Sequence, residues 1–169
     1  MGCNIFDSKF RQNTKALVNK KVIKGVYHYF RPDEDAEEQA KNYIKNVVLK
    51  PGDLPPILDI EQVPSYISMK SLNKGLRKWM TMVSTHYGVK PILYSGDKYF
   101  KSYLVNEFSD HVLWIANYSL WNKKFKSHWQ IWQFSERGYV KGISTNVDLN
   151  VFNGSLEEFK RLTIKKEVH

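Results

Sequence analysis

Two alternating periodicities constrain this chain more than any other feature. Six short runs rich in β-branched and aromatic residues, at about 25–30, 57–61, 90–95, 112–117, 129–134 and 147–152, read as strands. Segments with helical spacing separate most of the early ones. Such alternation makes consecutive strands run parallel, with crossover helices packed on the sheet. The expected class is therefore α/β, with about six mostly parallel strands and flanking helices. An eight-unit (β/α) barrel takes about 250 residues, or roughly 25–30 per unit. The 169 residues fit six units rather than eight. No repeat, low-complexity stretch or Pro/Gly linker divides the chain, so residues 1–169 read as one domain with a basic tail from about 163.

The helices have readable faces. Asp7 or Ser8 can cap a helix with Phe10, Thr14, Leu17 and Val18 on one side. Asp33 is expected to begin a second, carrying Ala36, Gln39, Ala40, Tyr43, Ile44 and Val47. A third runs from about Ser68 to Tyr87, with Leu72, Leu76, Trp79, Met80 and Val83 as its stripe and Gly88 at the C′ position. A short helix near 98–105 and a closing amphipathic segment from Leu156 to Leu162 complete the set.

The most informative five residues are ILDIE, 57–61. Side chains alternate on a strand, so Asp59 and Glu61 share one face while Leu58 and Ile60 take the other. The acids stand at the C-terminal end of their strand, the edge where parallel α/β folds build sites. Two carboxyls this close can serve one substrate, with one kept protonated by its neighbour's charge and by burial. A solvated strand end is the plainer reading of any D-x-E, but acids flanked by Ile57, Leu58 and Ile60 are costly unless used. Asp148 has a similar setting, with Asn150 on the same face; the plainer alternative there is an Asx turn closing the preceding loop.

Aromatics cluster in or just after the strands: Tyr27, Tyr29, Tyr94, Trp114, Tyr118, Trp129 and Trp132. Flat rings with a polar tip suit the apolar faces of sugars, and equally suit ordinary strand packing. Other chemistries lack their patterns. His28, His86, His111, His128 and His169 form no H-x-x-x-H or H-x-E, so no metal is expected. Neither a glycine-rich phosphate loop nor a G-x-S-x-G elbow occurs, so no cofactor is expected. The single cysteine, Cys3, excludes an intrachain disulfide and a Cys-based zinc site.

Charge narrows the partners. Lys+Arg of 26 against Asp+Glu of 17 gives +9, and the lysines fall mostly on predicted helices and the tail. A nucleic-acid binder would interleave basic and aromatic residues on one element; here the aromatics share strands with acids, so no nucleic acid is expected. A basic exterior around an acidic pocket fits attraction of a large polyanion that is held or cut. No apolar run approaches about 18 residues, so no membrane span is expected. MGCNIFDSKFRQN lacks the basic start and apolar run of a signal peptide.

Taken in order, these segments resemble a family-25 glycoside hydrolase, the β-1,4-N-acetylmuramidase type of lysozyme. GVYHYFRP resembles the family's third strand, GDLPPILDIE its fourth, and YGVKPILYSG, LWIANY, WQIWQF and VDLNVF its fifth to eighth. The resemblance implies a modified TIM-like (β/α) barrel. It implies cleavage of the MurNAc–GlcNAc β-1,4 bond of bacterial peptidoglycan with retention, by a substrate-assisted route that needs no protein nucleophile. Glu61 then matches the general acid/base, Asp59 the acid that orients the 2-acetamido group, and Asp148 a third pocket acid. Tyr27, Tyr94, Trp114, Tyr118 and Gln133 match the lining of the sugar cleft. Extracellular or cell-envelope action follows from the same likeness.

The family's opening G-x-D-V-S strand and its second strand, ending near K-A-[TS]-E-G, have no counterpart here. The expectation is an N-terminally truncated, incomplete barrel of six strands, with an unpaired edge beside the strand that starts at Gly25. The competing expectation for activity is a peptidoglycan-binding remnant without turnover. Oligomeric state stays open.

Overall fold

The computed structural model describes residues 2–18, 20–119 and 129–166. Its elements follow the expected order: α1 (Phe10–Leu17), β1 (Tyr27–Tyr29), α2 (Ala36–Asn46), β2 (Ile57–Asp59), α3 (Met69–Tyr87) and β3 (Ile92–Gly96). A helical stretch follows, made of α4 (Asp97–Tyr99), one π-helical turn (Phe100–Leu104) and α5 (Val105–Phe108). The chain then runs through β4 (Leu113–Ala116), β5 (Ile131–Gly138), β6 (Val147–Phe152) and α6 (Leu156–Leu162). The end of the basic tail, 167–169, lies outside the described residues, as do His128 and His169.

All six strands form one sheet in sequential order, β1 to β6. The first five are parallel, and β6 returns antiparallel to β5. Among the described residues β1 and β6 are the two outer strands, so the sheet is open rather than closed, and no strand pairs with the outer edge of β1, where the Gly2 amide donates to the Tyr29 carbonyl at 3.2 Å. This is the α/β, six-stranded, incomplete barrel that the sequence predicts.

One face of the sheet carries the core. Leu58, Leu93, Leu113 and Ile115 meet Ala40 and Tyr43 of α2 and Leu72, Leu76, Trp79 and Val83 of α3, all buried. Helix ends are chemically marked. Ser68 caps α3 by accepting from the Ser71 amide, and Gly88 ends it in the left-handed conformation at φ 66°. Ser155 and Glu158 form a reciprocal capping box on α6.

Two expectations shift. α2 starts at Ala36 with Asp35 as its cap, accepting from the Glu38 amide, so Asp33 does not begin the helix. Asp33 instead accepts the Ser65 and Tyr66 amides at 2.9 Å each, tying the loop after β2 to the loop after β1. α1 has the expected spacing but buries none of its residues, and Leu17 and Val18 stay exposed.

Buried polar groups line the α2 side of β1. His28 stacks on Trp79 at 5.6 Å between ring centroids, and its Nε2 meets Gln39 Oε1 at 3.1 Å. Burial pushes its pKa down to about 4, so the ring is neutral. Gln39 is fully buried; its Oε1 accepts the Arg31 amide and its Nε2 donates to the Arg31 carbonyl, each at 2.9 Å.

Candidate active site

The face of the sheet away from α2 and α3 is a cleft of about 470 Å³. Strand alternation delivers its lining: Tyr27 from β1, Asp59 from β2, Tyr94 from β3, Trp114 from β4, Gln133 from β5, and Asp148 and Asn150 from β6. Register explains the grouping, because Tyr29, Asp59, Tyr94 and Trp114 stand side by side across β1 to β4.

Asp59 is the buried acid, only 8% exposed, and its Oδ1 has no hydrogen-bond partner. Burial, and then the charge of Glu61, raise its pKa to about 8. In the free protein the proton therefore sits on Asp59. The family resemblance, which makes Glu61 the general acid, implies instead a proton on Glu61 beside an ionised Asp59. The difference arises from burial, which spacing does not report.

Glu61 is exposed, two residues beyond Asp59 at the end of β2, and is not part of the deep cleft lining. Its charge nevertheless reaches the phenols around the mouth. Tyr94 titrates well above the usual phenol range, first through burial and then through Glu61, which also hydrogen-bonds its hydroxyl. Tyr29 is raised by burial and then by Glu61 and Asp59. The Tyr27 hydroxyl is raised by desolvation and then by Asp59, Asp7, Asp148 and Glu61. Asp7 does not cap α1 as expected, since the N-cap is Lys9 without a side-chain bond, but its charge reaches the Tyr27 hydroxyl.

Cross-strand bonds fix the far wall. Gln133, buried, donates to the Tyr118 hydroxyl at 2.8 Å, and Trp114 Nε1 donates to Asn150 Oδ1 at 2.8 Å. Asn117 donates to Asp97 and accepts the Ser119 amide, which shapes the turn bearing Tyr118. Asp148 is exposed on β6 and borders the cleft. Two aromatics go elsewhere: Trp129 is buried in the helix-side core, and Trp132 packs against that core with its indole donating to the Asn117 carbonyl. Among the described residues, no group of three or more His, Cys, Asp or Glu could hold a metal ion. No helix among them is long and apolar enough to cross a membrane.

The open, mostly parallel sheet thus carries paired acids at the C-terminal end of β2 and aromatics along one face. Residues 1–143 match the family model described as glycosyl hydrolases family 25, and the chain belongs to that family. The match ends before β6, so Asp148 and Asn150 lie outside the matched residues.

Among relatives, the chain is 35% identical to the uncharacterized protein YegX of Escherichia coli over 94% of its own length and 58% of that protein. It is 28% identical to lysozyme M1 of Streptomyces globisporus over 91% of this chain and 58% of that one. The chain thus spans less than two thirds of the length of these curated relatives. In structure it resembles a family 25 glycosyl hydrolase from Bacillus anthracis, with a TM-score of 0.85 and 28% identity, covering 96% of this chain and 79% of that one. A bacterial lysozyme from Streptomyces coelicolor aligns with a TM-score of 0.83 and 25% identity, over 96% and 82% of the two chains.

Proposed function

We propose that this protein hydrolyses the MurNAc–GlcNAc β-1,4 bond of bacterial peptidoglycan, with retention, by substrate-assisted catalysis. The observation that carries the reading is the pairing of a buried, unpartnered Asp59 oxygen with an exposed Glu61 two residues on, beside an aromatic cleft.

Each group has a task. The Asp59 oxygen lacking a partner accepts the N–H of the substrate's 2-acetamido group and turns its carbonyl oxygen toward the anomeric carbon. As Asp59 ionises to accept that N–H, its proton passes to Glu61. The acetamido oxygen forms a bond to the anomeric carbon as the glycosidic C–O bond breaks, and Glu61 gives its proton to the departing oxygen. Water then adds to the anomeric carbon with Glu61 taking back a proton, and the acetamido group is restored. Asp148 and the phenols of Tyr27 and Tyr94 supply the polar edge of the sugar site, while Trp114, Tyr118 and Gln133 supply its wall. The substrate places the activity at the cell envelope or outside the cell.

Clearing of purified cell walls tests the reading. Wild type is expected to clear them, and Glu61→Gln to be slower by about 10²–10⁴-fold, the usual worth of a general acid. Equal clearing by the two would end the proposal. The open β1 and β6 edges favour a second reading, in which the cleft binds wall glycan without turnover. Equal wall binding by both proteins with no clearing by either would support it.

A further inference from the structure

Beside the acid pair lies a second cleft that the hydrolysis does not use. It measures about 380 Å³ and lies between the loop after β1, with Arg31, Asp33 and Glu34, and the loop after β2, with Gln62, Val63 and Ser65. Arg31 continues the alternation of Tyr27 and Tyr29, and so belongs to the catalytic side of the sheet. The Tyr29 hydroxyl responds to both neighbourhoods: Glu61 and Asp59 raise its pKa and Arg31 lowers it.

The cleft is built around that one cation. Asp33 is committed to the Ser65 and Tyr66 amides, which hold the second loop in place. Glu34 accepts the Cys3 amide at 2.6 Å through Oε2, and its Oε1 stands 3.7 Å from Arg31 Nε. Among the described residues this is the one partner recorded for the guanidinium, and the terminal nitrogens of its fork have none. Its backbone, by contrast, is held at both N–H and carbonyl by fully buried Gln39, itself held by His28. Two buried polar side chains thus fix the position of an arginine whose side chain is 45% exposed. A surface lysine or arginine that serves only solubility needs no such support.

We propose that Arg31 is a specificity-determining residue that binds a carboxylate carried on the lactyl substituent of the glycan, bidentately, in this second cleft. The inference rests on the muramidase reading, because that lactyl group and the peptide attached to it bear the carboxylates of peptidoglycan. A planar fork with free terminal donors is the geometry a carboxylate takes best, and a lysine does not reproduce it.

Equilibrium binding in a Glu61→Gln background tests this with three soluble ligands. These are glycan with its peptides, glycan stripped to the free lactyl carboxylate, and an N-acetylglucosamine oligomer with no carboxylate. Adding Arg31→Gln is expected to weaken one or both acidic ligands at least ten-fold more than the neutral oligomer, with Arg31→Lys recovering only part of the loss. A loss confined to the peptide-bearing glycan places the carboxylate on the peptide, and a loss confined to stripped glycan places it on the lactyl group, whose carboxyl is an amide while the peptide is attached; a loss shared by both shows that the fork takes either carboxylate. The melting temperature is expected to stay within about 2 °C, since Arg31 makes one long ion pair. Equal weakening of all three ligands, or of none, overturns the proposal. Wall clearing by wild type, run in parallel, keeps the two ideas separate. Clearing without a carboxylate effect removes Arg31 alone, whereas a carboxylate effect without clearing removes the hydrolase reading alone.

Discussion

The indole of Trp114 on β4 donates its Nε1 proton to Oδ1 of Asn150 on β6, 2.8 Å away, reaching across the intervening strand β5. Together with the Gln133–Tyr118 bond, it links the last three strands into one curved wall on the cleft side. Asn150→Ala removes the acceptor. The expected loss of stability is about 0.5–1.5 kcal/mol, the net worth of one hydrogen bond. Glycan affinity is expected to fall more than that, because the Trp114 ring loses its fixed orientation. Urea unfolding and a binding titration on the same variant separate the two effects.

Asp59 makes stability depend on pH. Its folded pKa of about 8 lies above the ordinary carboxylate value, so between these limits the folded state holds a proton that the unfolded chain has lost. Stability therefore falls as pH rises through this window, at up to about 1.4 kcal/mol per unit. Asp59→Asn removes the charge and is expected to be more stable than wild type by a few kcal/mol at pH 8. The difference is expected to shrink toward zero near pH 4. Thermal unfolding of both proteins across pH 4–9 measures it.

The same group links binding to protons. An acetamido N–H donated to Asp59 favours its ionised form and lowers its pKa. In Glu61→Gln, which has no second carboxyl to take up that proton, binding of N-acetylated glycan between pH 6 and 7.5 is expected to release protons, and affinity to rise as pH approaches 8. Calorimetry in buffers of different ionisation enthalpy counts the protons. Proton uptake, or none, contradicts the assigned contact.

Gly138 closes the β5–β6 hairpin where the register shifts. A Cβ there would lie 2.5 Å from Leu149 Cδ2 and 2.8 Å from the Val147 carbonyl oxygen, closer than real contacts allow. Gly138→Ala is expected to cost about 1–3 kcal/mol and to displace Asp148, which lies between those two residues in β6. Chemical unfolding together with glycan binding checks both parts.

Much of this architecture was legible because the strands are marked by composition and the long helices by spacing and caps. Trp79, Leu72 and Leu76 fall where a 3.6-residue stripe puts them, and all are buried. That Asp59, Tyr94 and Trp114 share one face was also legible, since a strand's alternation fixes which side chains lie together. The failures share a cause. Asp33 and Asp35 both resemble caps, and only tertiary structure shows Asp33 bonding a loop 32 residues away. Trp129 and Trp132 look like cleft aromatics until register sets Trp132 beside Ile115 and packing buries Trp129 in the core. Which acid holds the proton depends on burial depth, to which D-x-E spacing is blind. Arg31 passed unremarked because its signal, a strand-end arginine supported by His28 and Gln39, needs α2 docked on β1 to be visible.

Identification of the newly exposed reducing sugar tests the central claim most directly. Purified peptidoglycan is digested with the wild-type protein and reduced with borohydride, and the reduced sugar is identified. The account predicts reduced N-acetylmuramic acid, appearing with wild type and falling by at least 10²-fold with Glu61→Gln. Reduced N-acetylglucosamine as the product, or reducing ends released equally by both proteins, would contradict it.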